Sequence, residues 1–314
     1  MELENRTLQA ARSLSGPLVP VMPAFHADER LDLESTCRWV EWLIGQGIRG
    51  FWTTYGTSHY LCLTDDEIVE LNRAVAAVTR GRAVFIASTN FGWPIERCLE
   101  FIRSARAWGV DIVKLQIDWR WNPKPDLVFS FYERIARETV LPLFGYTLAA
   151  PGIKGMSREL LGQIMALRPF VGIKNDSGDF YEQCDYLRGV RLARAKVNIV
   201  TGGTLSSFLH SQPFGARAYA TSVGMVFPSV ALTFDRLVRT GRRAAAVKLV
   251  QQCEEPLYEL FAQASVSHWS CLHTLLVARG LFGSDTVRFP LGTATAKERE
   301  AARRLLKLPS LREG

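Results

Sequence analysis

The chain has 314 residues, enough for one large α/β domain and too long for a small module stapled by disulfides. With 47% hydrophobic and 22% charged residues it can bury a sizeable core, which excludes a disordered chain. The 38 Lys and Arg against 31 Asp and Glu leave a net charge of +7, scattered except for a basic C-terminal helix at Arg303, Arg304, Lys307 and Arg312. No nucleic-acid-binding stripe is visible in that distribution.

The first fifteen residues are polar and lack the apolar stretch of a signal peptide. No apolar run reaches the roughly 18 residues that a membrane span needs. The six cysteines (37, 62, 98, 184, 253, 271) are dispersed without a CxxC pair, which is the usage of a reduced cytoplasmic protein.

Strands and helices then alternate. Short apolar strands are predicted at 17–25, 48–54, 83–89, 111–117, 141–147, 170–175, 197–201 and 217–222, with helical spacing between them. Leu33, Cys37, Val40 and Ile44 share one helix face; Ile68, Leu71, Val75 and Val78 share another. Thr64 with Glu67 forms a capping box, Gly81 and Gly109 follow helix ends, and Pro94 and Pro228 stand at helix starts. Eight such units in about 220 residues predict a (β/α)8 barrel over 16–240. Residues 1–15 read as an N-terminal extension, and 241–314 as an appendage of two or three further helices. The alternative, a doubly wound open sheet, expects a glycine loop after the first strand, where Pro23-Ala24-Phe25 stands instead.

In a barrel the chemistry gathers at the carboxyl ends of the strands. Lys174 stands there, at the end of the apolar Phe170-Val171-Gly172-Ile173-Lys174. A buried lysine can lose its proton, attack a carbonyl and form a Schiff base whose iminium withdraws electrons from the neighbouring carbon. The competing reading is a salt bridge to Asp176 or Asp179. Lys114 also interrupts an apolar strand, nearer its middle, and reads as a lysine snorkelling toward the rim. Tyr146 ends the preceding strand, where it serves either as a proton shuttle or as a core aromatic. The Thr53 to Ser58 run offers amides and hydroxyls suited to a carboxylate, or forms a plain turn. Gly202-Gly203-Thr204 with Ser206 and Ser207 suits either a phosphate cradle or a turn with a helix cap. His268, Cys271 and His273 have no zinc-ligand spacing, so neither a metal nor any other cofactor is expected.

The segment Gly172-Ile173-Lys174-Asn175-Asp176-Ser177-Gly178-Asp179 resembles the Schiff-base signature G-(I/V/F)-K-D-(S/T)-S-G-(D/N) of the dihydrodipicolinate synthase/N-acetylneuraminate lyase family. Tyr146, 28 residues upstream, has the family's tyrosine-to-lysine spacing. Leu63 to Glu67 resembles its L-T-x-(E/D)-E, Gly215 to Ala220 its last strand and Val287 to Leu291 its closing V-R-x-P-L.

The resemblance implies a lyase with Lys174 as imine lysine and Tyr146 as proton relay, acting on pyruvate or a 2-oxo sugar acid. Gly56 and Thr57 would hold the substrate carboxylate. His59 stands where the family has a glutamate, and Arg120, between Trp119 and Trp121, near a second relay tyrosine; both would shape specificity. The arginine that binds a carboxylate in synthases falls near Pro151, which argues against synthase activity. Gly203 and Tyr219 belong to stretches that resemble 5-dehydro-4-deoxyglucarate dehydratase, and they join the substrate-binding set. The family further implies a homotetramer. The alternative function is a catalytically silent paralogue that binds a 2-oxo acid or sugar acid.

Overall fold

Eight parallel strands close on themselves in a computed structural model, which describes residues 2–118, 122–147, 156–175, 179–193, 197–308 and 311. The strands are β1 (Gly16–Pro20), β4 (Gly50–Trp52), β5 (Val84–Ser88), β6 (Ile112–Lys114), β7 (Leu143–Thr147), β8 (Phe170–Asn175), β9 (Asn198–Thr201) and β10 (Ala218–Ala220). Each pairs with the next, and β10 returns to β1 with Gly16 opposite Ala218. That closure excludes the open doubly wound sheet.

The first predicted strand, 17–25, is interrupted. Val21 still donates to the Trp52 carbonyl, but Pro23 has no N–H and the Ala24 amide turns to Thr36 Oγ1. The chain then leaves the barrel as a small antiparallel ribbon, β2 (Ala24–Phe25) against β3 (Leu31–Asp32).

Side-chain alternation sets the barrel interior. Leu18, Trp52, Ile86, Ile112, Phe144, Val200, Ala218 and Ala220 point inward and pack together. Gly172 lies two residues before Lys174. A Cβ there would come within 2.7 Å of the Phe144 ring and of the Asn198 carbonyl, so the glycine lets Phe144 fill the space beneath the lysine.

Helix α1 (Glu2–Ser13) covers the amino-terminal end of the barrel, where Ala10 and Leu14 join that inner cluster. The remaining helices form the outer layer. They include α2 (Leu33–Gly45), α3 (Asp65–Thr79), α4 (Ile95–Trp108), α5 (Pro125–Glu138), α6 (Arg158–Met165), α7 (Phe180–Leu192), α8 (Leu205–Ser211), α9 (Val223–Val226) and α10 (Pro228–Arg239). The start of α3 carries the predicted capping box, with Glu67 N donating to Thr64 Oγ1 and Thr64 N to the Glu67 carboxylate.

Past the barrel, α11 (Arg243–Leu249), a π turn at Val250–Glu254 and α12 (Glu255–Gln263) run on as one helical rod; α13 (His268–Ala278) and α14 (Ala296–Leu305) follow. Their Leu257, Leu272, Leu275 and Leu276 belong to the same core as the outer helices. No helix among the described residues is long and apolar enough to cross a membrane.

Candidate active site

Lys174 leaves the barrel wall at the carboxyl end of β8, with Tyr146 of β7 and Val200 of β9 as its register partners. It is 9% exposed, and its Nζ lies 5.1 Å from the centroid of the Tyr146 ring and 5.2 Å from that of Trp52. The electron-rich ring faces give an ammonium a partial replacement for water. Asp176 lies outside the described residues. Asp179 accepts from the Glu182 amide at 2.9 Å as the N-cap of α7.

Lys114 departs from expectation. It does not reach the rim: its side chain is fully buried, and Nζ donates to the Thr53 carbonyl at 2.9 Å. Its Nζ lies 4.9 Å from the Trp52 ring centroid and 5.0 Å from that of Tyr146, the same two rings that Lys174 faces. Inward alternation from Ile112 directs Lys114 into the barrel, where a carbonyl and two aromatic faces receive it.

The loop above is anchored by a buried polar network. Thr53 Oγ1 donates to Asn72 Oδ1 at 2.8 Å, Asn72 Nδ2 to the Tyr60 hydroxyl at 2.7 Å, and that hydroxyl to the Ser88 carbonyl at 3.0 Å. Ser88 closes the circuit, its amide donating to Thr53 Oγ1 and its hydroxyl to the Thr53 carbonyl. The Thr57 amide is committed to Thr54 Oγ1 at 3.2 Å, and Ser58 Oγ accepts from the Thr54 amide and donates to the Val21 carbonyl. Gly56 and Thr57 are half-buried, and among the described residues no protein acceptor takes the Gly56 amide or the Thr57 hydroxyl. Trp269 covers Gly56 so closely that a Cβ would stand 2.7 Å from its Cζ2.

Two expectations are corrected. His59 does not line the mouth; it is buried, with its ring centroid 5.9 Å from Phe25, 6.2 Å from Trp269 and 5.1 Å from His273. Burial, with His273 adding to it, holds its pKa well below the usual imidazole value. A left-handed backbone at His59 (φ 55°) turns the chain into the short 3-10 helix Tyr60–Cys62. Tyr219 is also misplaced by the sequence reading. Its neighbours Ala218 and Ala220 occupy the inward positions, so its ring faces the helices, 4.5 Å from Phe208 and 5.6 Å from Phe234, with its hydroxyl on the Ala231 carbonyl at 3.0 Å. Of the two readings for Gly202 to Ser207, the turn with a helix cap is the one that forms: Thr204 Oγ1 accepts from the Ser207 amide at 3.0 Å, and Glu254 accepts from the Leu205 and Ser206 amides at 2.5 and 3.2 Å.

Gly203 stands exposed after β9 with φ +93°, a turn conformation that glycine adopts without strain. Arg120, with Trp119 and Trp121, and Pro151 lie outside the described residues. Gln116, two residues past Lys114, borders a cavity of about 500 Å³ lined also by Tyr55, Phe91 and Leu127. Among the described residues, no group of three or more His, Cys, Asp or Glu side chains is placed to hold a metal ion.

The site thus holds two lysines against one tyrosine and one tryptophan, under a loop with donors to spare. Comparison with known proteins gives this arrangement a lineage. The model of the dihydrodipicolinate synthetase family matches residues 13–308. A probable 5-dehydro-4-deoxyglucarate dehydratase of Streptomyces avermitilis is 27% identical over 250 residues, 79% of this chain and 72% of the relative. An uncharacterized DapA-like lyase of Pyrobaculum arsenaticum is 26% identical over 281 residues, 84% of this chain and 88% of the relative. Among solved structures, dihydrodipicolinate synthase from Oceanobacillus iheyensis superposes with a TM-score of 0.84 at 19% identity, covering 96% of this chain and 98% of that one. The sialic acid aldolase of Ruminococcus gnavus also gives 0.84, at 16% identity over 94% of this chain and 97% of the other. These two share the barrel. With the family match spanning nearly its whole length, the chain belongs to the dihydrodipicolinate synthetase family of lyase-type enzymes.

Proposed function

We propose that the chain is a Schiff-base-forming lyase that acts on pyruvate or a 2-oxo sugar acid through Lys174. The observation that carries this reading is the register pairing of Lys174 with Tyr146 at the carboxyl ends of adjacent strands, both side chains lying in the barrel mouth. The Lys174 amine adds to the 2-oxo carbon, and the carbonyl oxygen leaves as water with two protons. Tyr146 relays protons in that step and at the substrate carbon afterwards. Gly56 and Thr57 offer an amide and a hydroxyl to the substrate carboxylate. The iminium then accepts the electron pair released by carbon–carbon cleavage or by loss of a proton before dehydration. The dehydratase name of one relative and the aldolase name of one structural neighbour support these two outcomes. We also infer a homotetrameric cytoplasmic enzyme, on the strength of the family alone.

The test is intact-mass spectrometry after incubation with pyruvate and sodium borohydride, wild type against Lys174→Ala. A reduced adduct on the wild type alone supports the imine at Lys174. An adduct that persists in Lys174→Ala moves the nucleophile to Lys114. Absence of an adduct across a panel of 2-oxo sugar acids would overturn the Schiff-base reading. Adducts without turnover on that panel would leave the protein a silent binder.

A further inference from the structure

We propose that Gln116 is a specificity residue: its side-chain carbonyl accepts a hydrogen bond from a substrate hydroxyl, so the site selects a hydroxylated 2-oxo acid, a sugar acid, over an alkyl one. The proposal rests on the Schiff-base reading of Lys174 and names the substrate class of that same site.

Strand alternation and register put Gln116 beside the two residues of that reading. Ile112 and Lys114 face the barrel interior, Val113 and Leu115 belong to the outer core, and Gln116 is the next inward position. Lys114 is the register partner of Phe144, and Tyr146 that of Lys174. The Leu115 amide still donates to the Phe144 carbonyl at 2.9 Å, so the pairing runs past Lys114. One inward step on, Gln116 stands abreast of Tyr146, with Lys174 on the far side of that tyrosine. Adjacent strands are about 4.8 Å apart, which sets Gln116 roughly 10 Å from Lys174, backbone to backbone.

Gln116 is 2% exposed, and Thr89 holds its side-chain nitrogen: Nε2 donates to the Thr89 carbonyl. A carbonyl only accepts, so the nitrogen must face Thr89 and Oε1 is turned away from it. That oxygen is buried and, among the described residues, receives no hydrogen bond. An orphaned buried acceptor is costly, and leucine or methionine would fill the position without one. The Thr89 carbonyl accounts for the nitrogen of Gln116 and not for the oxygen. A 2-oxo acid cannot satisfy it with its carboxylate, which is itself only an acceptor. What remains is the rest of the substrate, whose neutral donors in a sugar acid are hydroxyls. Gln116 also borders the cavity of about 500 Å³ that Tyr55, Phe91 and Leu127 line, which gives a chain longer than pyruvate room. Tyr55 is the residue before Gly56, so this cavity lies beside the loop proposed to hold the substrate carboxylate.

The experiment is borohydride trapping on wild type and Gln116→Leu, titrated with pyruvate, 2-oxohexanoate and 2-oxo-3-deoxygluconate, the last counted as its open-chain keto form. The two six-carbon acids differ in their hydroxyls alone. The wild type should reach half-saturation with the hydroxylated acid at a concentration at least about 10-fold lower than with 2-oxohexanoate, because an alkyl chain leaves Oε1 without a donor. In Gln116→Leu that advantage should shrink about 10-fold through weaker capture of the hydroxylated acid, the worth of one hydrogen bond in a buried site. The values for pyruvate and 2-oxohexanoate should stay within about 3-fold of wild type, the ordinary scatter of a non-interacting pair. Their retained trapping at Lys174 also shows that the variant folds. Equal weakening of all three acids, or no change in any, overturns the proposal. So does a wild type that captures the two six-carbon acids alike, a result that needs no variant to fold. Failure of the underlying reading is visible separately: no acid then leaves an adduct on Lys174 of the wild type, and the proposal falls with it.

Discussion

The imidazoles of His59 and His273 lie 5.1 Å apart, one from the loop after β4 and the other from α13, and all four ring nitrogens are buried without a hydrogen-bond partner. Phe25 stacks on both, at 5.9 and 6.1 Å. The contact joins the loop that carries Gly56 to the C-terminal helices.

That pairing makes stability depend on pH. Burial holds His59 well below 6.5 and pushes His273 down to about 3, so the folded protein keeps both neutral while the unfolded chain takes up protons below about 6.5. The unfolded state then binds more protons, and stability falls as pH drops from about 6.5 toward 3. The slope contributed is up to about 1.4 kcal/mol per pH unit for each histidine. Urea melts from pH 8 to pH 5 should show the loss, and His273→Phe should reduce the slope by about one proton's worth. An unchanged slope in that variant would refute the assignment.

Tyr146→Phe keeps the ring that both lysines face and removes only the hydroxyl. Turnover is expected to fall about 10²- to 10⁴-fold, the usual share of a positioned acid–base group. Borohydride should still trap the substrate on Lys174, more slowly. Full activity in the phenylalanine variant would remove Tyr146 from the proton path.

How much of this was readable follows from where the information lies. The placement of Lys174 and Tyr146 side by side at strand ends is legible because a lysine closing an apolar strand is chemically conspicuous and the tyrosine ends the preceding one. The barrel itself followed from repeated strand and helix periods. Tyr219 was misread although strand alternation was available: with small residues on both sides, Ala218 and Ala220 filling the narrow interior, the large ring had to face the helices. Lys114 could be seen to interrupt a strand, but its partners are the Thr53 carbonyl and the Trp52 ring two strands away, which only closure of the barrel brings near. Asn72 carried a faint local signal, a polar residue on the buried face of α3 beside Leu71 and Val75. Glu254 carried none, since its partners Leu205 and Ser206 lie about fifty residues upstream.

Glu254 gives a stability test of its own. Its buried carboxylate takes the Leu205 amide, the Ser206 amide and the Ser206 hydroxyl, and burial pushes its pKa up against those donors. Glu254→Ala leaves the amides at the start of α8 without an acceptor. The expected cost is about 2–3 kcal/mol, from buried donors deprived of their partner. A chemical melt measures it; a change below about 0.5 kcal/mol, the range of ordinary surface substitutions, would mean that the cap is replaced at no cost.

Gly56 tests whether the loop must sit where Trp269 holds it. An alanine Cβ would stand 2.7 Å from Cζ2 of that ring, closer than real contacts allow, so either the ring or the loop must move. The loop is tied at both ends, at Thr53 through Asn72 and Ser88 and at Ser58 through the Val21 carbonyl. Its middle, which carries the Gly56 amide and the Thr57 hydroxyl, is the part able to yield. Gly56→Ala is therefore expected to reduce kcat/KM at least about 10-fold while shifting stability by only about 1–2 kcal/mol, the usual cost of overpacking one methyl group. Trimming the ring in Gly56→Ala/Trp269→Leu should return part of the activity, because the two changes act on one contact and their effects cannot add. Simple additivity in that double variant would show that Gly56 acts through something other than its distance from Trp269.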